Sequence, residues 1–242
     1  MSPPLLLVAH GSRDPRSAAT VRQLAAVVRE QAGDVVVETA FLDLSEPSVP
    51  DALANLYARG HSTVVVVPLL LGAAFHARVD LPALITQATE RNPGLAVSVT
   101  DVLGPDPLLQ RLAAMRVAEL GTGQVGVVLA GVGSSHAKAN AAVARIADSW
   151  RARGLFPQVA HAFATCDPSV QSAVARLRAD GAAGVVIAPW FLAPGLLLDR
   201  VAKQARQTAD GVAIAEPLGA HPWVAHVVLA RYAASVPVTV AA

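Results

Sequence analysis

Residues Leu5–Ser12 read LLLVAHGS, an apolar run that ends in a histidine, a glycine and a serine. A similar stretch, GVVLAGVGS, lies at Gly126–Ser134 and closes on the same glycine and serine, 122 residues further along the chain. Short apolar runs bounded by turn residues are typical of β-strands that are buried on both faces. The pair therefore predicts two copies of one plan, each opening with a buried strand.

Three further pairs of segments recur in the same order and support this duplication. Measured between matching turn residues, their separations are 121, 121 and 115 residues, and a shorter loop in the second copy accounts for the drift. The alternative is two unrelated α/β halves that share only an alternation of strands and turns. Duplication is favoured because four pairs of matching segments, the opening pair included, recur in the same order. We therefore predict two domains, 1–121 and 122–242. The pairs are Ala40–Val49 with Ala162–Val170, Val64–Pro68 with Val185–Pro189, and Leu103–Gly104 with Leu218–Gly219.

The first copy alternates strand and helix patterns along its whole length. Short apolar strands that alternate with longer helical segments indicate an α/β fold, with a mostly parallel sheet in each domain and helices on both faces. In such sheets ligands bind outside the carboxyl ends of the strands. The patterns place strands near 4–9, 35–42, 62–68 and 95–101, and helices near 16–32, 48–59, 77–91 and 106–119.

Composition excludes several classes of protein. Hydrophobic residues make up 53% of the 242 residues and charged residues 15%, which excludes a disordered chain. The net charge of +1 gives no global field for nucleic acid or an acidic membrane surface. The single cysteine, Cys166, excludes an intramolecular disulfide and an all-cysteine metal site. Glycine and proline interrupt both long uncharged stretches, and no signal pattern opens the chain, so we expect a cytoplasmic protein without a membrane span.

Polar residues follow three strands of the first copy. They are His10, the segment Asp43–Glu46 and the loop Gly72–His76, and we expect them to converge on one crevice. Most of them are absent from the second copy, because the repeat pairs His10 with Val132, Asp43 with Ala164 and His76 with Leu197. Groups needed by the scaffold would be kept in both copies. Their loss from one copy indicates a single chemical site in the first.

Two imidazoles and a carboxylate suit a divalent first-row metal such as iron, cobalt, nickel or zinc, and three ligands leave coordination positions open for a reaction. A neutral imidazole is also a base near pH 7. Structural roles are the alternative: His10 in a turn, His76 as a helix cap, and Asp43 as a solvated carboxylate. Ser-His-Asp catalysis fits less well because no Gly-x-Ser-x-Gly elbow is present, and the nucleotide-binding glycine motifs are incomplete.

Three motifs together resemble the sirohydrochlorin chelatases, which are class II chelatases that insert a divalent metal into a tetrapyrrole. The resemblance is strong in the first copy and continues in the second as a degenerate copy, so it spans nearly the whole chain. The loop that carries His76 is the most diagnostic of the three. The motifs are LLVAHGSRDPR at residues 6–16, FLDLSEPS at residues 41–48 and VPLLLGAAFHARVDLP at residues 67–82.

The resemblance implies two chelatase-type domains that face each other across a cleft. It implies that His10 and His76 bind the metal and help to remove the pyrrole protons. The family often has a glutamate near position 43, and the shorter Asp43 leaves open direct ligation or ligation through water. Sirohydrochlorin carries eight carboxylates, for which arginine is a suitable partner. Candidate substrate-binding residues are Ser12, Arg13, Arg16 and Arg78, with Lys138, Arg200 and His136 of the second copy as further candidates.

Several functions remain open at this point. The resemblance favours insertion of Fe²⁺ into sirohydrochlorin to make sirohaem, a lyase reaction, with insertion of Co²⁺ for cobalamin synthesis as the alternative. A non-catalytic carrier of tetrapyrrole or metal is a third possibility, and a periplasmic-type two-lobed binding protein is disfavoured. We expect no permanently bound cofactor, with the metal and sirohydrochlorin as substrates. We also expect a monomer, because a two-copy chain supplies both walls of the cleft.

Overall fold

The computed structural model describes residues 2–72, 80–121 and 125–236. It confirms the predicted α/β class, with parallel strands and intervening helices in both copies. The strands are β1 (Leu5–Ala9), β2 (Val37–Phe41), β3 (Thr63–Pro68), β4 (Ala96–Val99), β5 (Gly126–Gly131), β6 (Gln158–Phe163), β7 (Val185–Pro189) and β8 (Ala213–Ile214). The helices within the described residues are α1 (Pro15–Ala32), α2 (Val49–Ala58), α3 (Asp80–Arg91), α4 (Pro107–Ala118), α5 (Ala137–Ala152), α6 (Val170–Ala179), α7 (Leu196–Thr208) and α8 (Pro222–Ser235).

The two sheets have the same topology. Their strand orders are β2-β1-β3-β4 and β6-β5-β7-β8, and every pair is parallel. The central strands β1 and β5 are buried along their whole length, as are their neighbours β3 (after Thr63) and β7. Burial on both faces explains why these strands are continuous apolar runs without a polar alternation.

Helices cover both faces of the first sheet. On one face, α2 and α3 pack on Leu6 and Val8 of β1 through Leu53, Leu56 and Leu81. Helix α1 packs against α8, and α8 also contacts β3. In the second sheet, α6 and α7 cover Val128 and Ala130 of β5 in the equivalent way.

The compact units differ from the sequence repeat in one respect. One unit contains the residues up to Gly104 together with those from Ala220 onwards, and the other contains Pro105–Gly219. Relative to the predicted division at residues 121 and 122, the units exchange the last helix of each copy. Helix α4 packs on β7 of the second sheet, and α8 packs on β3 of the first.

Side chains cap the first two helices of the first unit, α1 and α2. The side chain of Asp14 accepts a hydrogen bond from the Arg16 amide at the start of α1, and Pro15 occupies its first position. Ser48 caps α2 in the same manner, through the amide of Asp51. Within the described parts of the chain, no helix is long and apolar enough to cross a membrane.

Candidate functional site

The candidate site lies at the carboxyl ends of β1 and β2, where the backbone ladder continues beyond both strands. The amide of Leu42 donates to the carbonyl of Ala9 at 2.9 Å, and the amide of Asp43 donates to the carbonyl of His10 at 3.0 Å. His10 and Asp43 therefore lie side by side on adjacent backbones, and both are exposed to solvent. The structure thus brings the backbones of His10 and Asp43 together from positions 33 residues apart.

Gly11 allows this close approach of the two loops. Its φ angle of 92° lies in the left-handed region that favours glycine. A Cβ atom at this position would lie 1.7 Å from the carbonyl oxygen of Asp43, which is backbone and cannot rotate away. The loop that carries His10 can therefore reach the Asp43 backbone only with glycine next to the histidine.

The carboxylate of Asp43 is held by its own loop. Its Oδ1 atom accepts a hydrogen bond of 2.7 Å from the amide of Leu44. Leu44 has a φ angle of 60°, the one positive value among the non-glycine residues described by the structure, and its side chain is 47% exposed. Strained backbone of this kind persists where the surroundings impose it, and it is common at functional sites.

Ser12 and Ser45 connect the two loops a second time. The Ser12 amide donates to the Ser45 Oγ atom at 3.2 Å, and the Ser45 hydroxyl donates back to the Ser12 carbonyl at 3.1 Å. The hydroxyl of Ser12 itself accepts from the amide of Asp14 at 3.0 Å. The predicted substrate-binding Ser12 therefore has its own hydroxyl turned towards the start of α1.

Arg16 is paired with a carboxylate of its own loop. Its Nε atom lies 3.0 and 3.1 Å from the two carboxylate oxygens of Asp14, and its Nη2 atom lies 2.5 Å from Oδ2. Asp14 is only 7% exposed, and the hydrogen bonds from Arg16 lower the pKa of its carboxyl group. Arg13, by contrast, is exposed on the loop between β1 and α1. Asp14 had no predicted role, although the Asp-Pro pair at a helix start is the signal for a cap.

Arg22 also supports the loop after β2. Its Nη2 atom donates to the carbonyl of Glu46 at 3.0 Å, and its guanidinium lies over the Phe41 ring at 5.7 Å from the centroid. The sequence carries no signal for this contact, because the partners are separated by 24 residues and belong to different elements.

The third strand of the predicted site, β3, ends at the same edge. The amide of Leu69 donates to the carbonyl of Val8 at 2.7 Å, and the amide of Leu103 donates to the carbonyl of Leu70 at 3.0 Å. After β3 the structure describes the chain as far as Gly72, so the predicted residues His76 and Arg78 lie outside the described residues. Among the described residues, no group of three histidine, cysteine or acidic side chains is arranged to hold a metal ion.

The second unit has the same backbone at its strand ends but different side chains. The Thr165 amide donates to the Val132 carbonyl at 3.1 Å, which matches the bond between Asp43 and His10. The counterpart of Asp43 is therefore Thr165, and the predicted pairing with Ala164 is wrong by one residue. The physical reason is a loop of five residues between Phe163 and Ser169, where the first copy has six between Phe41 and Ser48.

The further candidates lie in the second unit. His136 precedes α5, and its amide donates to the Ser134 Oγ atom at 3.1 Å. Lys138 is exposed in the first turn of α5, and Arg200 is exposed on α7. The counterpart position Val132 is 40% exposed, so an apolar side chain stands where the first copy has an imidazole.

Together, the fold and the site define a class: duplicated α/β proteins in which a histidine and an aspartate follow adjacent strands of the first copy, at positions that hold Val132 and Thr165 in the second. The family model described as CbiX matches this chain twice, over residues 4–120 and 126–235. The chain belongs to the CbiX family.

Named relatives align with most of the chain. The sirohydrochlorin ferrochelatase of Bacillus subtilis (strain 168) is 27% identical over 237 residues, which cover 96% of this chain and 91% of the relative. The sirohydrochlorin cobaltochelatase of Priestia megaterium is 28% identical over 211 residues, covering 84% of this chain and 68% of the relative. A solved structure of SirB from Bacillus subtilis with Fe³⁺ superimposes with a TM-score of 0.79 at 29% identity, and covers 96% of this chain and 94% of that one.

Proposed function

We propose that this protein is a sirohydrochlorin chelatase, a lyase that inserts a divalent metal ion into sirohydrochlorin. One observation supports the proposal above the others: the hydrogen bond from the Asp43 amide to the His10 carbonyl, which joins the backbones of a histidine and an aspartate at a ligand-binding edge. The family and the names of the two relatives supply the substrate.

The chemistry needs a metal ligand that is also a base. Insertion of M²⁺ into the macrocycle forms bonds to the ring nitrogens and releases two pyrrole N–H protons. A neutral imidazole at His10 donates a lone pair to the incoming ion, then accepts a proton once the ring nitrogens have replaced it. His76, which follows β3 in the sequence, is the second imidazole in this proposal. The metal is a substrate here, and no permanently bound cofactor takes part.

In this proposal, the negative charge of the Asp43 carboxylate stabilises the bound metal cation. Its Oδ1 atom already accepts the Leu44 amide, which holds the carboxylate in one orientation beside the His10 backbone. A carboxylate fixed in this way acts on the metal either directly or through one water molecule, and in both cases it favours the partly hydrated cation.

The substrate carboxylates require local donors. Arg13 is exposed beside the site, whereas Arg16 shares its guanidinium with Asp14. We therefore assign the leading role in carboxylate recognition to Arg13, with Ser12, Arg16 and Arg78 as further candidates.

Fe²⁺ is the metal we favour, with sirohaem as the product, and Co²⁺ insertion for cobalamin synthesis is the alternative. The relatives include both a ferrochelatase and a cobaltochelatase, so their names alone leave the choice of metal to experiment. Affinity does not decide it either, because the order of stability of divalent complexes is the same for most sites.

We further propose that the protein works as a monomer in the cytoplasm. Both copies of the repeat are present in one chain, so a second chain is not needed to supply the second copy. Size-exclusion chromatography with light scattering tests this, and a mass near twice 24.9 kDa would contradict it.

The deciding experiment is anaerobic turnover of sirohydrochlorin with Fe²⁺, Co²⁺ or Ni²⁺, followed by absorbance, for the wild type, His10→Ala and His76→Ala. The matched control is His61→Ala, which removes a histidine of the same unit at the amino end of β3. We expect multiple turnovers in the wild type and the control, and loss in both site variants. If the rate with the wild type equals the rate of the spontaneous reaction, the proposed enzymatic activity is wrong. A stoichiometric spectral change would then indicate a carrier.

A further inference from the structure

The segment Val102–Gly104, which follows β4, lies against the chain at the carboxyl end of β3. The amides of Leu103 and Gly104 both donate to the carbonyl of Leu70, at 3.0 and 3.3 Å. A Cβ atom at Gly104 would lie 2.6 Å from the carbonyl oxygen of Leu71, so the two backbones are in direct contact. The segment therefore supports the chain after β3, at the edge of the sheet where the candidate site lies.

The chain after β3 is also joined to the strand that leads to His10. The Leu69 amide donates to the Val8 carbonyl at 2.7 Å, and Val8 precedes His10 by two residues. In the sequence, His76 follows Gly72 by four residues. A shift of this stretch would therefore move the backbone next to His10 and the start of the chain that continues to His76.

Arg231 of α8 binds the carbonyl groups of the segment Val102–Gly104. Its Nε atom donates to the Val102 carbonyl at 3.1 Å, and its Nη2 atom donates to the Leu103 carbonyl at 3.2 Å. Hydrogen bonds from a charged donor are about twice as strong as neutral ones, and a planar guanidinium fixes its two acceptors relative to each other. Arg231 thus ties the last helix of the chain to the segment that supports the edge of the site.

The second unit has the same backbone contact at the equivalent place. The Leu218 amide donates to the Phe191 carbonyl at 3.0 Å, and the Gly219 amide donates to the Leu192 carbonyl at 2.8 Å. The donors in both units are the Leu-Gly pairs that repeat in the sequence. This ladder is therefore a property of the shared fold.

The arginine contact differs between the units. Arg116 of α4 is the counterpart of Arg231, because 115 residues separate them, as they separate Leu103 from Leu218. Arg116 donates to Glu119 at 3.1 Å, and its buried Nε atom has no hydrogen-bond partner among the described residues. The ladder of the second unit therefore forms without a backbone contact from this arginine, whereas Arg231 makes that contact in the unit that contains His10.

We propose that Arg231 is a positioning residue, which fixes the chain after β3 so that the proposed ligands His10 and His76 engage one metal ion. The inference rests on the proposed function for the identity of these ligands. Residues that orient metal ligands typically contribute about 10- to 100-fold to metal affinity or activity. Arg231 acts through the intervening backbone, so we expect an effect at the lower end of this range.

Three variants test this role. Arg231→Gln removes the forked donor and its charge, Arg231→Lys keeps the charge without the fork, and Arg116→Gln removes the same charge at the counterpart position. Loss of a positive charge alone favours the binding of a cation, because it removes a repulsion. A weaker affinity for metal in Arg231→Gln would therefore come from a change in structure and not from the change in charge.

The first readout is amide hydrogen exchange of the metal-free protein, resolved by NMR. In Arg231→Gln we expect the Leu103 and Gly104 amides to exchange at least about 10-fold faster, because their segment has lost its bonds to α8. The amides of Leu218 and Gly219 should keep their wild-type rates. This measurement needs neither metal nor tetrapyrrole, so it tests the support of the segment independently of the proposed reaction.

The second readout is Co²⁺ titration of the metal-free protein, followed by the visible absorbance of Co²⁺ well below the melting temperature of each variant. Arg231→Gln should bind Co²⁺ about 10-fold more weakly, with a similar rise in the KM for Co²⁺ during insertion into sirohydrochlorin. Arg231→Lys should lie between Arg231→Gln and the wild type, and Arg116→Gln should stay within about 2-fold of the wild type. His10→Ala and His76→Ala identify the absorbance change that depends on the two histidines.

Three results would overturn the proposal. They are unchanged exchange of Leu103 and Gly104 in Arg231→Gln, faster exchange with an unchanged affinity for Co²⁺, and an equal loss of affinity in Arg231→Gln and Arg116→Gln. If Arg231→Gln does not fold, Arg231→Lys provides the same test with expected changes of about 3-fold. If the wild type binds Co²⁺ through the histidines but inserts no metal, the chelatase proposal fails, while exchange and titration still decide the role of Arg231.

Discussion

The two sheets have the same strand order, yet their carboxyl edges carry different chemistry. In the first unit, His10 and Asp43 lie on neighbouring backbones, whereas Val132 and Thr165 occupy the matching positions of the second. The loop after β2 is also one residue longer in the first unit, and it contains Leu44 in the left-handed region. Because both units fold with the same hydrogen-bond ladder, the imidazole, the carboxylate and the strained residue are not needed for folding. We infer that they were kept for the reaction.

The largest expected effect contrasts His10 with Val132. His10→Ala removes the proposed metal ligand and base, so kcat/KM for metal insertion should fall by about 100- to 10,000-fold. Val132→Ala shortens an exposed apolar side chain at the matching position and should change kcat/KM by less than about 3-fold. Anaerobic absorbance assays of both purified variants measure the difference. An equal loss of kcat/KM in the two variants would show that both carboxyl edges contribute equally to metal insertion, and it would contradict the proposed difference between the two units.

The next comparison contrasts two glycines with the same φ angle of 92°, Gly11 and Gly133. An alanine at Gly11 would bring its Cβ atom to 1.7 Å from a backbone oxygen, whereas at Gly133 the nearest atoms are the side-chain tips of Thr165 and Cys166 at 2.8 and 2.9 Å, followed by the Phe163 Cβ atom at 3.0 Å. Side chains can rotate away, and backbone cannot. Gly11→Ala should therefore lower the free energy of unfolding by about 2–5 kcal/mol, from backbone strain and overpacking together.

Gly133→Ala is the control for backbone strain alone. We expect it to cost about 1–2 kcal/mol, because the strain of a side chain at positive φ remains while the steric conflict is relieved. Calorimetric melting of both variants provides the measurement, with about 2–4 °C expected per kcal/mol for a chain of this size. A larger loss in Gly133→Ala than in Gly11→Ala would contradict the close packing of the His10 loop on the Asp43 backbone.

Much of this comparison could be predicted from the sequence. The apolar runs located the strands to within one or two residues, because strands buried on both faces must be apolar throughout. Parallel topology then placed His10 and Asp43 at one edge without any knowledge of distances. The exact counterpart of Asp43 was not predictable from a constant offset between the copies. The second copy has one residue fewer in this loop, so the offset changes from 122 to 121 residues inside the loop itself.

Two features of the structure could not be predicted from local sequence patterns. The apolar residues of α4 and α8 do not specify which sheet each helix covers, since both sheets offer a similar apolar face, and so the exchange of the two helices was not expected. The hydrogen bonds between Ser12 and Ser45 join residues 33 positions apart, and a serine in a polar loop carries no signal for such a partner. Long-range polar contacts of this kind require the folded geometry.

A smaller effect is expected at Asp43. Asp43→Asn keeps a side-chain oxygen as an acceptor for the Leu44 amide but removes the charge that favours a cation, so the KM for metal should rise by about 10-fold with a smaller change in kcat. Asp43→Glu restores the charge with one additional methylene and should stay within about 3-fold of the wild type. Steady-state kinetics with varied Fe²⁺ or Co²⁺ measure both. If Asp43→Asn has the same KM for metal as the wild type, the Asp43 carboxylate takes no part in metal binding.

The smallest expected effect concerns a histidine of β6 that lies away from the strand ends. His161 of β6 corresponds to Thr39 of β2, because each faces the matching leucine of the central strand. His161 lines a cavity of about 400 Å³ with Asp148, Arg151 and Arg176. Burial lowers the pKa of its imidazole below the usual 6.5, against the opposing charge of Asp148. The second unit therefore contains a titratable group at a position where the first unit has none.

The sign of the pH effect follows from this shift. A histidine whose pKa is lower in the folded state binds fewer protons folded than unfolded, so it destabilises the fold as the pH falls through 6.5 and below. His161→Thr copies the first unit and should reduce the loss in melting temperature between pH 8 and pH 5. The matched control is His226→Thr, at an exposed histidine of α8, which should lose as much as the wild type. If His161→Thr also loses as much as the wild type, the imidazole is not the group that makes the second unit sensitive to acid.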